Sequence, residues 1–170
     1  MEIIEKEDKF LAGEFEGNIF IKLIGNSTMR NSKTLEEYLN KILTGEKKDI
    51  ILDFEECNYM DSTMLGLIAK IALKIKKIWL QEIIAINLDN SILMSIKSTG
   101  IDKLLNLIEK NVINKKDSEE LEELENKDFD SKEEKTQHIL ESHKTLVNLN
   151  EENKLIFQNV VNLLEKEMEK

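Results

Sequence analysis

The chain has 170 residues, of which 41% are hydrophobic and 34% charged, with a formal net charge of −10 at pH 7. That length allows one domain, or one domain with an appendage, and the apolar share is enough for a core. The acidic balance and an aromatic content of 5% argue against a nucleic-acid binder, because the net charge repels phosphates and few rings are there to stack on bases.

The first elements read as strands. Phe10 to Glu14 and Asn18 to Ile24 flank Glu16-Gly17-Asn18, a hairpin turn. Gly25-Asn26-Ser27-Thr28 then breaks the pattern. Leu35, Tyr38, Leu39 and Ile42 recur at helical spacing, in a helix opened by Ser32 or Thr34 and stopped at Gly45.

Ile50-Ile51-Leu52 is a short β-branched run that reads as a buried strand ending at Asp53. A loop is expected through Cys57, Asn58 and Tyr59. Asp61-Ser62-Thr63 supplies three residue types that cap helices. Met64, Leu65, Leu67, Ile68, Ile71, Ala72 and Ile75 follow on a helical stripe, with Lys70, Lys74, Lys76 and Lys77 kept off it as a solvated face. This unit places the hydroxyls of Ser62 and Thr63 where a helix N-terminus faces solvent and would stabilise a phosphoryl group by about 1 kcal/mol.

Glu82 to Leu88 repeats the buried-strand pattern, and Asp89-Asn90-Ser91 opens a short helix carrying Ile92, Leu93 and Ile96. After Gly100, the spacing of Ile101, Leu104, Leu105 and Ile108 predicts another helix, and Val112-Ile113 an edge strand. The fold class is therefore α/β: a mixed sheet of about four or five strands backed by helices.

Charge divides the chain. Residues 1–116 carry a net charge of −1, whereas residues 117–170 carry 16 acidic against 7 basic side chains. The expected organisation is a domain over 1–116, a linker with a short helix over 117–130, and an acidic helical hairpin over 131–170. Ser131 with Glu134 fits a capping box. Ile139, Leu140, His143, Leu146 and Val147 form one stripe, and Leu155, Ile156, Val160, Leu163 and Leu164 form the other.

The stretch LDFEECNYMDSTMLGLIAKIA resembles the signature of the STAS domain of bacterial anti-sigma factor antagonists. In that signature a strand ending in Leu-Asp is followed by a loop and by Asp-Ser-Ser/Thr-Gly-Leu-Gly at the start of a helix. The segment SILMSIKSTGIDKLLNLIE resembles the family's late helix, its Thr-Gly break and the next helix. The resemblance covers roughly residues 8–114.

It implies that Ser62 is the serine phosphorylated by a partner kinase, with Thr63 a secondary acceptor. Asp53, Asp61, Asn58, Met64 and Gly66 then shape that site. Two positions depart from the pattern: Met64 stands where the family has its first glycine, and GNST after the second strand lacks the family's acidic residue. The implied partners are an anti-sigma factor that is a serine kinase of the histidine-kinase-like ATPase class, and a phosphatase that reverses the mark. A homodimer through the C-terminal helices is a further possibility, with no cofactor and no membrane insertion.

Other chemistry is thin. Asp53 and Asp61 read more simply as a strand end and a helix cap than as a carboxylate pair. Cys57 has no histidine near it in sequence, and one cysteine permits no internal disulfide, which suits a reducing compartment. His138 and His143 are five apart, off the spacing of a helical zinc pair. No phosphate loop or nucleophile elbow occurs, so a binding protein rather than an enzyme is expected. The start of the chain has no basic-then-apolar leader, and the expected location is cytoplasmic. A constitutive scaffold whose helical tail mediates assembly is the alternative to a phosphoswitch.

Overall fold

A computed structural model describes residues 7–108 and 120–170. Strands β1 (Lys9–Phe15) and β2 (Asn18–Ser27) form an antiparallel hairpin. Glu16 and Gly17 both take positive φ, 49° and 80°, at the two positions where a tight hairpin turn needs them. Helix α1 (Met29–Leu43), strand β3 (Asp49–Met60), helix α2 (Ser62–Trp79), strand β4 (Ile83–Ile86) and helix α3 (Asn90–Thr99) follow. A 3₁₀ turn (Ile101–Leu104) then leads into strand β5 (Leu105–Ile108).

The sheet order is β5-β4-β3-β2-β1-β6, with β2 through β5 parallel and β6 (Glu122–Glu123) antiparallel on β1. The crossovers through α1, α2 and α3 all step the same way along the sheet. Right-handed connections then put these helices on one face. The core between sheet and helices holds Ile19, Ile21, Leu23, Leu35, Ile50, Leu52, Phe54, Met64, Leu67 and Ile71, each almost wholly buried. Burial of side chains of this size contributes about 1.5–3 kcal/mol apiece.

Helices α4 (Lys132–Leu149) and α5 (Glu151–Met168) form the hairpin expected at the C-terminus. Leu146 is fully buried in the same core cluster, and Leu149 and Phe157 pack against it. Asn153, at the start of α5, donates through Nδ2 to the Thr99 carbonyl at 2.8 Å and so seats α5 at the end of α3.

Several elements differ from their expected bounds. β3 does not stop at Asp53 but runs to Met60, so Cys57, Asn58 and Tyr59 lie in a strand. Register shifts against β2, between Lys22 and Ile24 and between Gly25 and Asn26, leave extra residues on β3 and interrupt its alternation. β2 likewise continues through Gly25-Asn26-Ser27. α1 opens three residues before Ser32, at Met29, because Thr28 provides the cap.

The helix expected from Ile101 to Ile108 is a 3₁₀ turn plus a strand, since Gly100 in the left-handed region (φ 80°) turns the chain back to pair with β4. The short helix expected within residues 117–130 is replaced by β6 where that stretch is described. Val112-Ile113 lies outside the described residues. On α5, Leu155, Ile156 and Leu163 are exposed, whereas Asn153 and Val161 are buried, so the apolar stripe is not the packed face.

Candidate functional site: the rim around Ser62

Asp61 organises the rim. Its backbone is extended, and its Oδ1 accepts the N–H of Met64 at 2.9 Å, capping α2. Its Oδ2 accepts the N–H of Met29 at 2.9 Å, the first residue of α1. One carboxylate thus satisfies a free donor at two helix N-termini, where the helix dipoles favour negative charge. The cap was legible in the sequence, but the second helix it serves was not.

Ser62 is the first residue of α2 and is partly buried. It does not face solvent alone: its Oγ lies 2.9 Å from Nε2 of His143 on α4. His143 Nδ1 lies 2.8 Å from the Ile139 carbonyl, which can only accept, so Nδ1 carries the proton. In the neutral ring Nε2 is then an acceptor, and the Ser62 hydroxyl donates to it. The ring is also held edge-on by Phe157 of α5, with centroids 5.8 Å apart.

The remaining residues expected at the site separate. Thr63 is turned into the protein and buried. Met64 is fully buried in the core, so the side chain that replaces the expected glycine does not protrude from the rim. Asn58 is exposed on β3 as one of the extra residues of its bulges.

Asp53 sits seven residues before Met60, on the order of 20 Å along the strand. Its Oδ1 accepts from Glu55 N–H (3.0 Å) and Asn87 Nδ2 (2.9 Å). It braces the first bulge and the turn after β4, and is not part of the Ser62 group.

Gly66 stands where α4 crosses α2. A Cβ at this position would collide with the Ser142 carbonyl and stand 2.9 Å from the Ser142 Cβ. Only a residue without a side chain permits that approach. One turn on, Lys70 Nζ contacts Glu141 Oε2 at 2.7 Å and Glu36 Oε2 at 3.2 Å, joining α4, α2 and α1. Lys70 is therefore not part of a freely solvated face.

Burial alone would lower the Lys70 pKa, but the hydrogen bond and charge of Glu141 and the charge of Glu36 outweigh it and raise the value. Burial would raise Glu36 and Glu141. The His138 contact and Lys70 override it at Glu36, and Lys70 with Gln137 at Glu141, so both sit below the usual carboxylate value.

A second histidine contact lies alongside. His138 Nε2 is 2.6 Å from Ser32 Oγ on α1, and its Nδ1 is 3.7 Å from Glu36 Oε1. Both His138 and Ser32 are buried. Lys33 reaches Glu134 at 2.6 Å and the Asp128 carbonyl at 2.7 Å. Lys33 and Glu36 escaped the sequence reading, while Ser32 was read there as a helix start, Lys70 as part of a solvated face, and the two histidines as an unsuitable zinc pair. The available signal was Ser142-His143 inside an otherwise apolar stripe, together with the mid-helix glycine at position 66.

Cys57 is buried, and burial pushes its thiol up in pKa, so it is a poor nucleophile. Among the described residues no cluster of His, Cys, Asp or Glu could hold a metal ion, and no helix is long and apolar enough to cross a membrane.

Comparison with known proteins bears on residues 10–114, which match the family described as the STAS domain. The solved structures of similar fold include the phosphorylated form of the Bacillus cell fate determinant SpoIIAA. That match has TM-score 0.50 and 16% identity, and covers 59% of this chain and 92% of that one. Another is a Thermotoga maritima protein provisionally described as an anti-sigma factor antagonist, with TM-score 0.52, 17% identity, and coverage of 59% and 86%. A third is the anti-sigma factor antagonist SpoIIAA in its unphosphorylated form, with TM-score 0.49, 17% identity, and coverage of 60% and 89%. At these identities the likeness is one of fold. Helices α4 and α5 lie beyond the matched residues.

Proposed function

The chain belongs to the STAS domain family, and from that premise we propose that it is a regulatory binding protein of the anti-sigma factor antagonist kind, docking a protein partner through the rim around Ser62. The observation that carries this reading is that the rim already receives a helix: α4 lies on it with Ser62, Gly66 and Lys70 each engaged. The partner is an anti-sigma factor with serine kinase activity of the histidine-kinase-like ATPase class, and phosphorylation of Ser62 ends the association. A phosphatase restores it.

The physical basis is local. Transfer from ATP forms a bond between Ser62 Oγ and phosphorus and releases ADP. It places close to two negative charges beside Asp61 and removes the hydroxyl proton that Ser62 uses as a donor. A docked surface is disrupted while the core, which does not include the Ser62 side chain, is unaffected.

Incubation with ATP and candidate anti-sigma kinases, followed by mass spectrometry, is expected to place phosphate on Ser62. The Ser62→Ala chain is expected to remain unlabelled and the Ser62→Asp chain to lose partner affinity. Labelling of Ser62→Ala equal to wild type would remove this serine from the mechanism.

A second reading, a constitutive scaffold assembled through its tail, is favoured by α5. Leu155 and Leu163 are 85% and 64% exposed there, and lie four residues either side of Asn159. Glu152 and Lys166 lie seven either side. An antiparallel second copy centred on Asn159 would set leucine on leucine and glutamate on lysine, as a twofold contact requires. Light scattering across a concentration series tests it: this reading expects a dimer that Leu163→Lys dissociates, and a monomer throughout removes it.

A further inference from the structure

We infer that α4 is a built-in competitor for the partner: it occupies the α1–α2 surface that an external helix would take, and the partner docks only when α4 leaves. The inference rests on the reading of the Ser62 rim as a docking surface, and it names what that surface accepts and what guards it.

The contact has the character of a reversible interface. What α4 buries is mixed: His138, Ser142 and His143 are buried beside Leu140 and Leu146, and Leu146 reaches the core cluster. Each histidine is held to a serine at the N-terminal end of a core helix, His138 to Ser32 and His143 to Ser62. Such groups return to water at less cost than an apolar face of equal area, which is why separable surfaces are more polar than permanent ones.

The surface left behind would be preorganised. Asp61 holds the α1 and α2 termini without help from α4. Lys70 keeps Glu36 when Glu141 departs.

The same contacts specify the occupant. Gly66 admits a helix only where its backbone can come close. Ser62, one turn back, offers a hydroxyl proton to an acceptor, and Lys70, one turn on, offers charge to a carboxylate. An amphipathic helix that crosses α2 with an acid, a small residue and a hydrogen-bond acceptor in succession fits, and α4 provides Glu141, Ser142 and His143 in those roles.

The test supplies α4 in trans. In the 170-residue chain, His143→Ala with Glu141→Lys weakens the seated helix without altering the receiving surface. The probe is a fluorescein-labelled peptide of residues 131–150 with the native sequence. Wild-type chain is expected to leave the peptide free, because its own α4 is seated, and the double variant to bind it at least tenfold more tightly.

Hydrogen exchange is expected to show faster α4 amides in the variant, with β2 and β3 still protected. Adding Gly66→Leu to that background should abolish peptide capture. An α4 that exchanges only with global unfolding in both chains, or a released α4 whose surface captures no peptide, would overturn the inference. Ser62→Asp on the same background separates it from the phosphoswitch: unchanged capture would keep α4 as the competitor and remove Ser62 as the switch.

Discussion

Asp61 holds Met29 across the sheet's helical face: Asp61 Oδ2 accepts the Met29 N–H at 2.9 Å while Oδ1 caps its own helix through Met64. A single side chain therefore fixes the spacing between the starts of α1 and α2. Loss of one cap costs about 0.5–2 kcal/mol, so Asp61→Ala is expected to cost roughly 1–4 kcal/mol. Asp61→Asn, which keeps one acceptor oxygen, should recover part of it. Urea unfolding of the three chains, compared at constant m-value, measures both differences.

Gly66 is the contact that most directly separates the helical layers. Adding a methyl group there should strengthen α2 itself by about 1 kcal/mol through helix propensity. Forcing a methyl into the α2–α4 crossing costs about 1–3 kcal/mol. The loss should therefore fall on α4. Amide exchange in α4 of Gly66→Ala is expected to accelerate while that of Leu67 to Ile71 in α2 does not.

Met64 answers whether the departure from the family pattern is an adaptation of the surface or of the core. The side chain is fully buried. Met64→Gly removes it and places glycine inside a helix, for a combined cost of roughly 3–6 kcal/mol. Thermal unfolding is expected to show that loss. A change under 1 kcal/mol would mean that the core closes over the gap.

The seating of α4 should depend on pH through its ion pairs. Glu36 and Glu141 are held below the ordinary value of 4.5, so their contribution is complete above that value and fades as pH falls through their lower folded values. Lys70 is held above 10.5, so its share is complete below that value and is lost as pH rises through the higher one. The share of the seating that these three groups carry is therefore constant from roughly pH 5 to 10, and the carboxylates' part is lost in acid. The difference in thermal stability between wild type and Glu141→Gln, followed across pH, should be constant in the middle of that range and shrink at the acid end.

The elements legible in the sequence were those with a strong local signal. Alternating or continuous β-branched runs located β1, β2, β3 and β4, and the caps at Asp61, Asp89 and Ser131 marked three helix starts. β3 was read short because its bulges break the two-residue period on which strand reading depends. Ile101 to Ile108 satisfied helical spacing, yet half of it pairs with β4, a tertiary preference that spacing does not encode.

The site was half visible. Ser62 and Asp61 were found from the motif. His143, Lys70 and Glu141 meet only because α4 returns across some eighty residues to lie on α2. Polar residues that pack tightly against a glycine look, in one dimension, like interruptions of an apolar stripe.

The segment leading into α4 is fastened independently of α4 itself. Leu124 N–H bonds to the Phe10 carbonyl at 2.9 Å, Lys127 N–H to Thr34 Oγ1 at 2.9 Å, and Lys33 to the Asp128 carbonyl. A detached α4 would thus be moored beside the surface it had vacated, at an effective concentration on the order of millimolar. An incoming rival in the micromolar range starts at a disadvantage of about a thousandfold in local abundance. It must make up that gap in contact quality, so the mooring sets the threshold below which a weak or mistaken partner is ignored.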